Sequence, residues 1–296
     1  MRTNPPAESD LARRFAVPMI ALSSLLISVN GLMFRSIESA SEWQVIFARQ
    51  LCFMPAVLIF LLIQYGRALP RTVIQVGWPG LLGGVSLALA NTGFFVALSH
   101  TTVANTLFTL SSAPLITAVL ARAFLKERVA RGTLLAIVFA MVGIAVMVWD
   151  GLSTDSVVGT ITALGCATCF ALFVIALRIG KDRRMLPTSL IGAALGTVIG
   201  LVGADFDYAL SARDFAICFV WGAGIVSTVH IIFTAASRYV LGAEIMLITL
   251  IEFTLGPIWV WLAFGEKPSS TALVGGLLVL SAVAGRTMLL MRAQMR

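Results

Sequence analysis

The sequence predicts an all-α polytopic membrane protein: ten transmembrane helices in two inverted five-helix repeats, with both termini cytoplasmic. Three observations carry this expectation. The 296 residues are 59% hydrophobic and only 12% charged, with a mean hydropathy of +0.97, whereas soluble domains carry about 25% charged residues. Lysine and arginine gather in alternate connections between apolar stretches. A segment near the middle of the chain also recurs near its end.

The apolar stretches fall at 15–36, 43–64, 76–98, 102–124, 130–149, 157–177, 186–203, 213–236, 242–264 and 272–291. Crossing a bilayer takes about 20 apolar residues, so ten spans use roughly 200 and leave no room for a soluble domain. Arg13-Arg14 precedes the first stretch. No small-residue cleavage site follows, so the stretch reads as a first helix rather than a secretory signal.

Orientation follows from the basic residues of short loops. One side collects Arg2, Arg13, Arg14, Arg67, Arg71, Arg122, Lys126, Arg128, Arg131, Arg178, Lys181, Arg183, Arg184, Arg238, Arg292 and Arg296. The other side holds Arg35, Arg213 and Lys267, while Arg49 and Arg286 lie within spans. The net charge of +7 is therefore a topology signal and not a nucleic-acid footprint. Acidic residues mark the opposite side: Glu38, Glu42, Asp150, Asp155, Asp205, Asp207, Asp214 and Glu266. They read as solvated loop charges, with capture of a cationic substrate as the alternative. Cys52, Cys166, Cys169 and Cys218 all fall inside spans, where Cys166-x-x-Cys169 reads as helix packing rather than a redox or zinc motif.

Internal repetition gives the architecture. Superposing Ala104 on Ala243 also brings Glu127 onto Glu266, each acid being followed by a base. Both segments carry a proline after a small residue, Ala113-Pro114 and Gly256-Pro257, offset by one helical turn. The repeats are then 15–149 and 157–291. Five helices is an odd number, so the second copy enters the membrane the other way up, an arrangement recurrent in secondary transporters.

The run TVANTLFTLSSAPLITAVLARAFLKER and the later EIMLITLIEFTLGPIWVWLAFGEKP resemble the fourth- and ninth-helix signatures of the drug/metabolite transporter superfamily, EamA type. Phe47-Ala48-Arg49 in the second helix, the length and the ten-helix layout resemble it too. The resemblance covers essentially the whole chain and implies a carrier of small metabolites such as amino acids, vitamins including riboflavin, nucleosides or drugs. It does not select among them.

Polar groups in hydrocarbon are costly and generally face a cavity or a partner. At 1.5 Å per residue, Asn30, Arg49 and Asn91 lie roughly 10 Å below the outer surface, with Asn105 slightly shallower. They read as a ligand-facing layer or, alternatively, as interhelical hydrogen bonds with Arg49 snorkelling. Thr102, Asn105, Thr109 and Ser112 share one face of the fourth helix. Pro114 is expected to break that helix just below them. In the ninth helix Thr249, Glu252, Gly256 and Trp259 form a second stripe, with Pro257 as the expected break. Glu252, roughly 15 Å from either surface, is the candidate proton-coupling residue; pairing with Arg49, binding a substrate amine and purely structural packing are the alternatives. The candidate substrate-binding set is thus Asn30, Arg49, Asn91, Asn105, Thr109, Ser112, Thr249, Glu252 and Trp259.

Other groups are secondary. His230 reads as a core histidine near the inner end of its helix, and Glu244 as solvated. Phe94, Phe95, Phe108, Trp221, Trp259 and Trp261 are candidates for stacking on a flat substrate. Gly80, Gly84, Gly192, Gly196 and Gly200 recur at four-residue spacing and read as close helix contacts.

The sequence holds no P-loop, no H-E-x-x-H and no G-x-S-x-G, so no enzymatic activity, cofactor or metal is expected. The expected function is alternating-access transport of a small polar or amphipathic metabolite across the inner, cytoplasmic membrane, with protons as candidate coupling ions. The lipid bilayer is the expected environment; no nucleic acid is involved, and no oligomeric state is assigned. A membrane-embedded enzyme and a non-transporting scaffold are the rival readings.

Overall fold

Apolar runs of this length satisfy their backbone groups internally only as helices when water is absent. A computed structural model describes residues 7–101, 103–149, 157–265 and 270–294. Among them every element is helical and no strand occurs. Each predicted apolar stretch lies on a helix. Asp150, Asp155, Glu266 and Lys267, used above for sidedness and for the repeat, lie outside the described residues.

The helices run in the order α1 Ala7–Ile27, α2 Asn30–Arg35, α3 Glu42–Tyr65, α4 Leu69–Gln75, α5 Gly77–His100, α6 Val103–Leu110, α7 Ala113–Leu120 and α8 Arg131–Val148. The second half holds α9 Val157–Ile179, α10 Pro187–Gly203, α11 Ala212–Phe219, α12 Ser227–Ser237, α13 Gly242–Thr249, α14 Ile251–Phe264 and α15 Ser270–Gln294. Seven runs are long and apolar enough to cross a membrane: Phe15–Arg35, Glu42–Gln75, Gly77–His100, Thr106–Leu125, Val157–Ile179, Ala212–Ser237 and Gly242–Phe264. Arg131–Val146, Pro187–Gly203 and Leu273–Leu289 are shorter apolar helices. The chain is a polytopic helical membrane protein.

Packing is dominated by a few helix pairs, α5 with α9, α8 with α15, α3 with α10, α5 with α10, and α1 with α12, and α7 also packs on α13. Glycine brings several of these backbones together. A Cβ on Gly200 would lie 2.6 Å from the Phe47 nitrogen, and one on Gly192 would lie 3.1 Å from the Gly84 carbonyl oxygen. The predicted glycine stripes therefore do line close contacts of α10 with α3 and α5.

Three long runs are interrupted, at Ser28–Val29, at Ser111–Ser112 and at Leu250. In each a hydroxyl bonds three residues back: Ser28 to the Leu25 carbonyl, Ser111 to Phe108, Ser112 to Thr109, and Thr249 to Met246. These bonds compete with the i to i−4 ladder and tighten the turn. Pro114 sits in the first turn of α7, where its missing N–H goes unused. The second expected break is displaced: the backbone stays helical through Pro257, and the interruption falls seven residues earlier. Proline alone removes one ladder bond and is tolerated within a packed membrane helix. Between α11 and α12 the chain widens into a π-helical turn, Val220–Val226.

Three acids are more buried than the sequence suggests. Glu244, expected to be solvated, is 5% exposed. It accepts from Arg286 at 2.8 Å and from Thr133 at 3.1 Å, joining α8, α13 and α15. Glu127 accepts from Arg178 at 3.0 Å. Asp214 is fully buried and accepts from the backbone N–H groups of Glu38 and Ser39 and from the Ser39 hydroxyl. It pins the first connection onto α11 and is no solvated loop charge.

Candidate substrate cavity

A cavity of about 140 Å³ lies between α1, α2, α3, α5, α9, α12 and the α13–α14 break. Its polar lining comes from Ser23, Ser24, Asn30, Arg49, Asn91, Thr249, Glu252 and His230. Its apolar walls include Phe94, Phe95, Phe170, Phe173, Trp221 and Phe233.

The interruptions of two helices shape this lining. Asn30 opens α2 directly after the first break, and Glu252 lies in the first turn of α14 directly after the last. A helix N-terminus carries the positive end of its dipole, which favours a carboxylate there. Asn30 Nδ2 donates to Glu252 Oε1 at 2.8 Å, and Trp221 Nε1 donates to Asn30 Oδ1 at 2.7 Å.

Arg49 faces the same space from α3 and is 3% exposed. Its guanidinium donates to Asn91 Oδ1 at 2.9 Å, while Asn91 Nδ2 is anchored on the Leu87 carbonyl at 3.0 Å. The guanidinium carbon lies 5.1 Å from the Phe95 ring centroid and 4.9 Å from that of Trp221, within cation–π range. Arg49 Nε is buried without a hydrogen-bond partner. Arg49 and Glu252 do not pair with one another: each is held by an asparagine, and Trp221 touches both arrangements. A cavity with one cation, one acid and aromatic walls can hold a molecule with both charges and an apolar part.

Of the candidate site residues, Asn30, Arg49, Asn91, Thr249 and Glu252 line the cavity. Thr109 and Ser112 do not, and the Ser112 hydroxyl is bonded within its own helix. Trp259 stands behind the lining and donates to Ser28 Oγ at 2.7 Å, tying α14 to the first break. The side chains of Asn105 and Pro257 lie outside the described residues. His230 is a lining residue rather than one at the inner end of its helix; its Nδ1 lies 3.3 Å from Ser189 Oγ, and its ring packs 5.0 Å from that of Phe53. Ser23, Ser24 and the α9 phenylalanines went unnoticed in the sequence. Serine amid apolar residues carries no distinctive signal there, because it bonds back to its own helix, as both serines do to the Ile20 carbonyl.

The chain is thus a many-helix membrane protein with a charged cavity among broken helices. Residues 14–149 match the model of the EamA-like transporter family. An uncharacterized transporter of Bacillus subtilis (strain 168), YyaM, is 30% identical over 149 residues, which are 48% of this chain and 49% of that protein. The match thus spans about half the length of the curated relative. A crystal structure superposes with a TM-score of 0.80 at 16% identity, over 93% of this chain and 98% of the other. At that identity the likeness is one of fold.

Proposed function

We propose that the protein is a secondary active transporter that carries a zwitterionic amino acid with an apolar or aromatic side chain across the cytoplasmic membrane by alternating access. The observation that carries this reading is the placement of Arg49 and Glu252 on one cavity without a bond between them. Arg49, with a free Nε, is suited to a substrate carboxylate, since guanidinium matches carboxylate geometry. Glu252 suits the ammonium group and carries the coupling proton when substrate is absent. The phenylalanine walls suit the side chain. A planar vitamin such as riboflavin requires this cavity, about 140 Å³, to widen toward the roughly 300 Å³ at which pockets for drug-sized ligands begin.

Ten spans in two inverted repeats, 15–149 and 157–291, with both termini cytoplasmic, complete the proposal. Two regularities support it. Exchanging the first five predicted spans for the last five maps packed helix pairs onto packed pairs: α5 with α9 goes to α12 with α1, α5 with α10 goes to α3 with α11, α12 and the π-helical turn between them, while α3 with α10, α7 with α13, and α8 with α15 map onto themselves. The superposition of Ala104 on Ala243 also lays the break at Ser111 onto the break at Leu250. The prolines do not superpose, but the interruptions do. Rocking of one repeat against the other about a midplane cavity is the motion such pairs permit.

The test is uptake into sealed vesicles holding this protein, against empty vesicles, with labelled amino acids, riboflavin and nucleosides under an imposed proton gradient. Gradient-driven accumulation of an amino acid is expected. Glu252→Gln should keep the Asn30 bond through its amide oxygen yet lose the response to the gradient. Uptake by that variant with an unchanged pH dependence removes Glu252 as the coupling residue.

A further inference from the structure

A second cavity, of about 660 Å³, opens between α1, α3, α12 and the connection from α9 to α10. It begins one helical turn beyond the central cavity: Met19 and Thr234 line it where Ser23 and Phe233 line the other. The basic connections lie on this side, so the positive-inside bias makes it cytoplasmic.

Its chemistry is one-sided. Arg184 and Arg238 line it together with Gln64, Tyr65, Thr234 and Tyr239, and no Asp or Glu is in the lining. The Arg184 guanidinium lies over the Tyr65 ring, with its carbon 4.7 Å from the centroid. Arg238 donates, among the described residues, only to the Arg183 carbonyl, at 3.0 Å. Among the described residues neither guanidinium meets a carboxylate, whereas nearby Arg178 is paired with Glu127. Asp182, in the same connection, is exposed and is not part of this lining. The Thr234 hydroxyl is a separate signal: the residue is 5% exposed, and its oxygen is buried with no partner. Threonine in a helix ordinarily bonds back to its own backbone, as Thr228 and Thr254 do here.

Two uncompensated guanidiniums, two phenol rings and an orphaned hydroxyl around one basin call for an oxyanion. We propose that this basin is an oxyanion-binding site, taking a phosphate or carboxylate group between Arg184 and Arg238. The contact with Tyr65 holds the guanidinium by its face, and its N–H groups, which make no hydrogen bond among the described residues, suit the forked recognition of such groups by arginine. Two sources share this chemistry: the headgroup of an anionic lipid in the inner leaflet and a soluble anion in the aqueous phase. The site is separate from the Arg49–Glu252 cavity and stands whatever that cavity carries.

The test is thermal unfolding of the full chain in phosphatidylcholine nanodiscs with inorganic phosphate added, and in nanodiscs containing phosphatidylglycerol. A ligand that binds the folded state raises Tm, here by about 2–4 °C, a range that reflects roughly 1 kcal/mol in a large domain. A rise with inorganic phosphate identifies a soluble oxyanion as ligand, and a rise with phosphatidylglycerol alone identifies a headgroup. In either case Arg184→Gln and Arg238→Gln should each remove at least half of it. Among the described residues Arg184 donates no hydrogen bond, so R184Q decides the matter even where R238Q, which loses the Arg183 carbonyl, folds poorly. An unchanged rise in R184Q, as a general salting effect of phosphate would give, or no rise with either ligand in the unmodified chain, overturns the proposal.

Discussion

Asn30 and Glu252 are joined by a 2.8 Å hydrogen bond that connects the first turns after two helix breaks, 222 positions apart in the chain. The same asparagine accepts from Trp221, whose ring lies against the Arg49 guanidinium. The acid and the base of the cavity are thus positioned through one amide and one indole rather than by each other. A direct ion pair would neutralise both; this arrangement leaves each able to exchange its partner for a ligand.

Replacing Asn30 by Ala leaves Glu252 and Trp221 Nε1 without partners. A buried group stripped of its partner costs about 1–3 kcal/mol, though membrane double-mutant cycles average about 0.6 kcal/mol per bond. N30A is expected to lower the thermal midpoint and to abolish uptake. Wild-type uptake and midpoint in N30A would show the bond to be incidental.

Arg49→Lys retains a charge but loses the guanidinium that lies over the Phe95 and Trp221 rings, and cation–π contacts of this desolvated kind are worth about 2 kcal/mol. The expected outcome is a KM raised about tenfold or more, equivalent to roughly 1.4 kcal/mol, with Arg49→Gln more severe still. Equal KM values for R49K and wild type would take the substrate carboxylate elsewhere.

Gly222→Ala tests the approach of the π-helical turn to α3. An added Cβ would stand 2.2 Å from the Arg49 carbonyl oxygen, a backbone atom that cannot yield without shifting α3 and the Arg49 side chain with it. Gly165 in α9 has nothing within 4 Å of such a Cβ, so Gly165→Ala should gain about 0.5–1 kcal/mol from helix propensity. Thermal melts are expected to show a loss in G222A and a gain or no change in G165A.

Asp214→Ala removes the acceptor shared by Glu38, Ser39 and the Ser39 hydroxyl. Hydrogen exchange at residues 36–41 is expected to accelerate by at least tenfold, while α8 and α15 exchange as before. If residues 36–41 keep their protection, the Arg213–Glu38 ion pair holds the connection unaided.

The helices themselves were legible because their cause is local and repeated: stretches of about 20 apolar residues bounded by charge. Five of the nine candidate substrate residues line the cavity, and all five are polar groups in the interior of predicted spans, where desolvation makes them conspicuous. Thr109, Ser112 and Trp259 share a helical face with such residues, and face alone does not say which neighbour lies opposite. Prolines were the obvious punctuation, yet the second break follows the Thr249 hydroxyl and not Pro257. A back-bonded hydroxyl looks in sequence like any other small polar residue. Glu244 and Asp214 misled for a related reason: proximity to a helix end suggested solvent, while Arg286, Thr133 and Ser39 reach them from far along the chain.

By itself, then, the sequence determined that the chain is a many-helix membrane protein, where its helices run, and that Glu252 and Arg49 are costly enough in hydrocarbon to require partners. Those properties follow from transfer free energies and hydrogen-bond satisfaction along a single segment. Tertiary structure alone decided which partners they took, that Asn30 and Trp221 stand between them, and that Arg184 and Arg238 share a basin without an acid. Such relations depend on the rotation and crossing of helices far apart in the chain, which are set by close packing at Gly200, Gly192 and Gly222 and leave no periodic mark on any one helix.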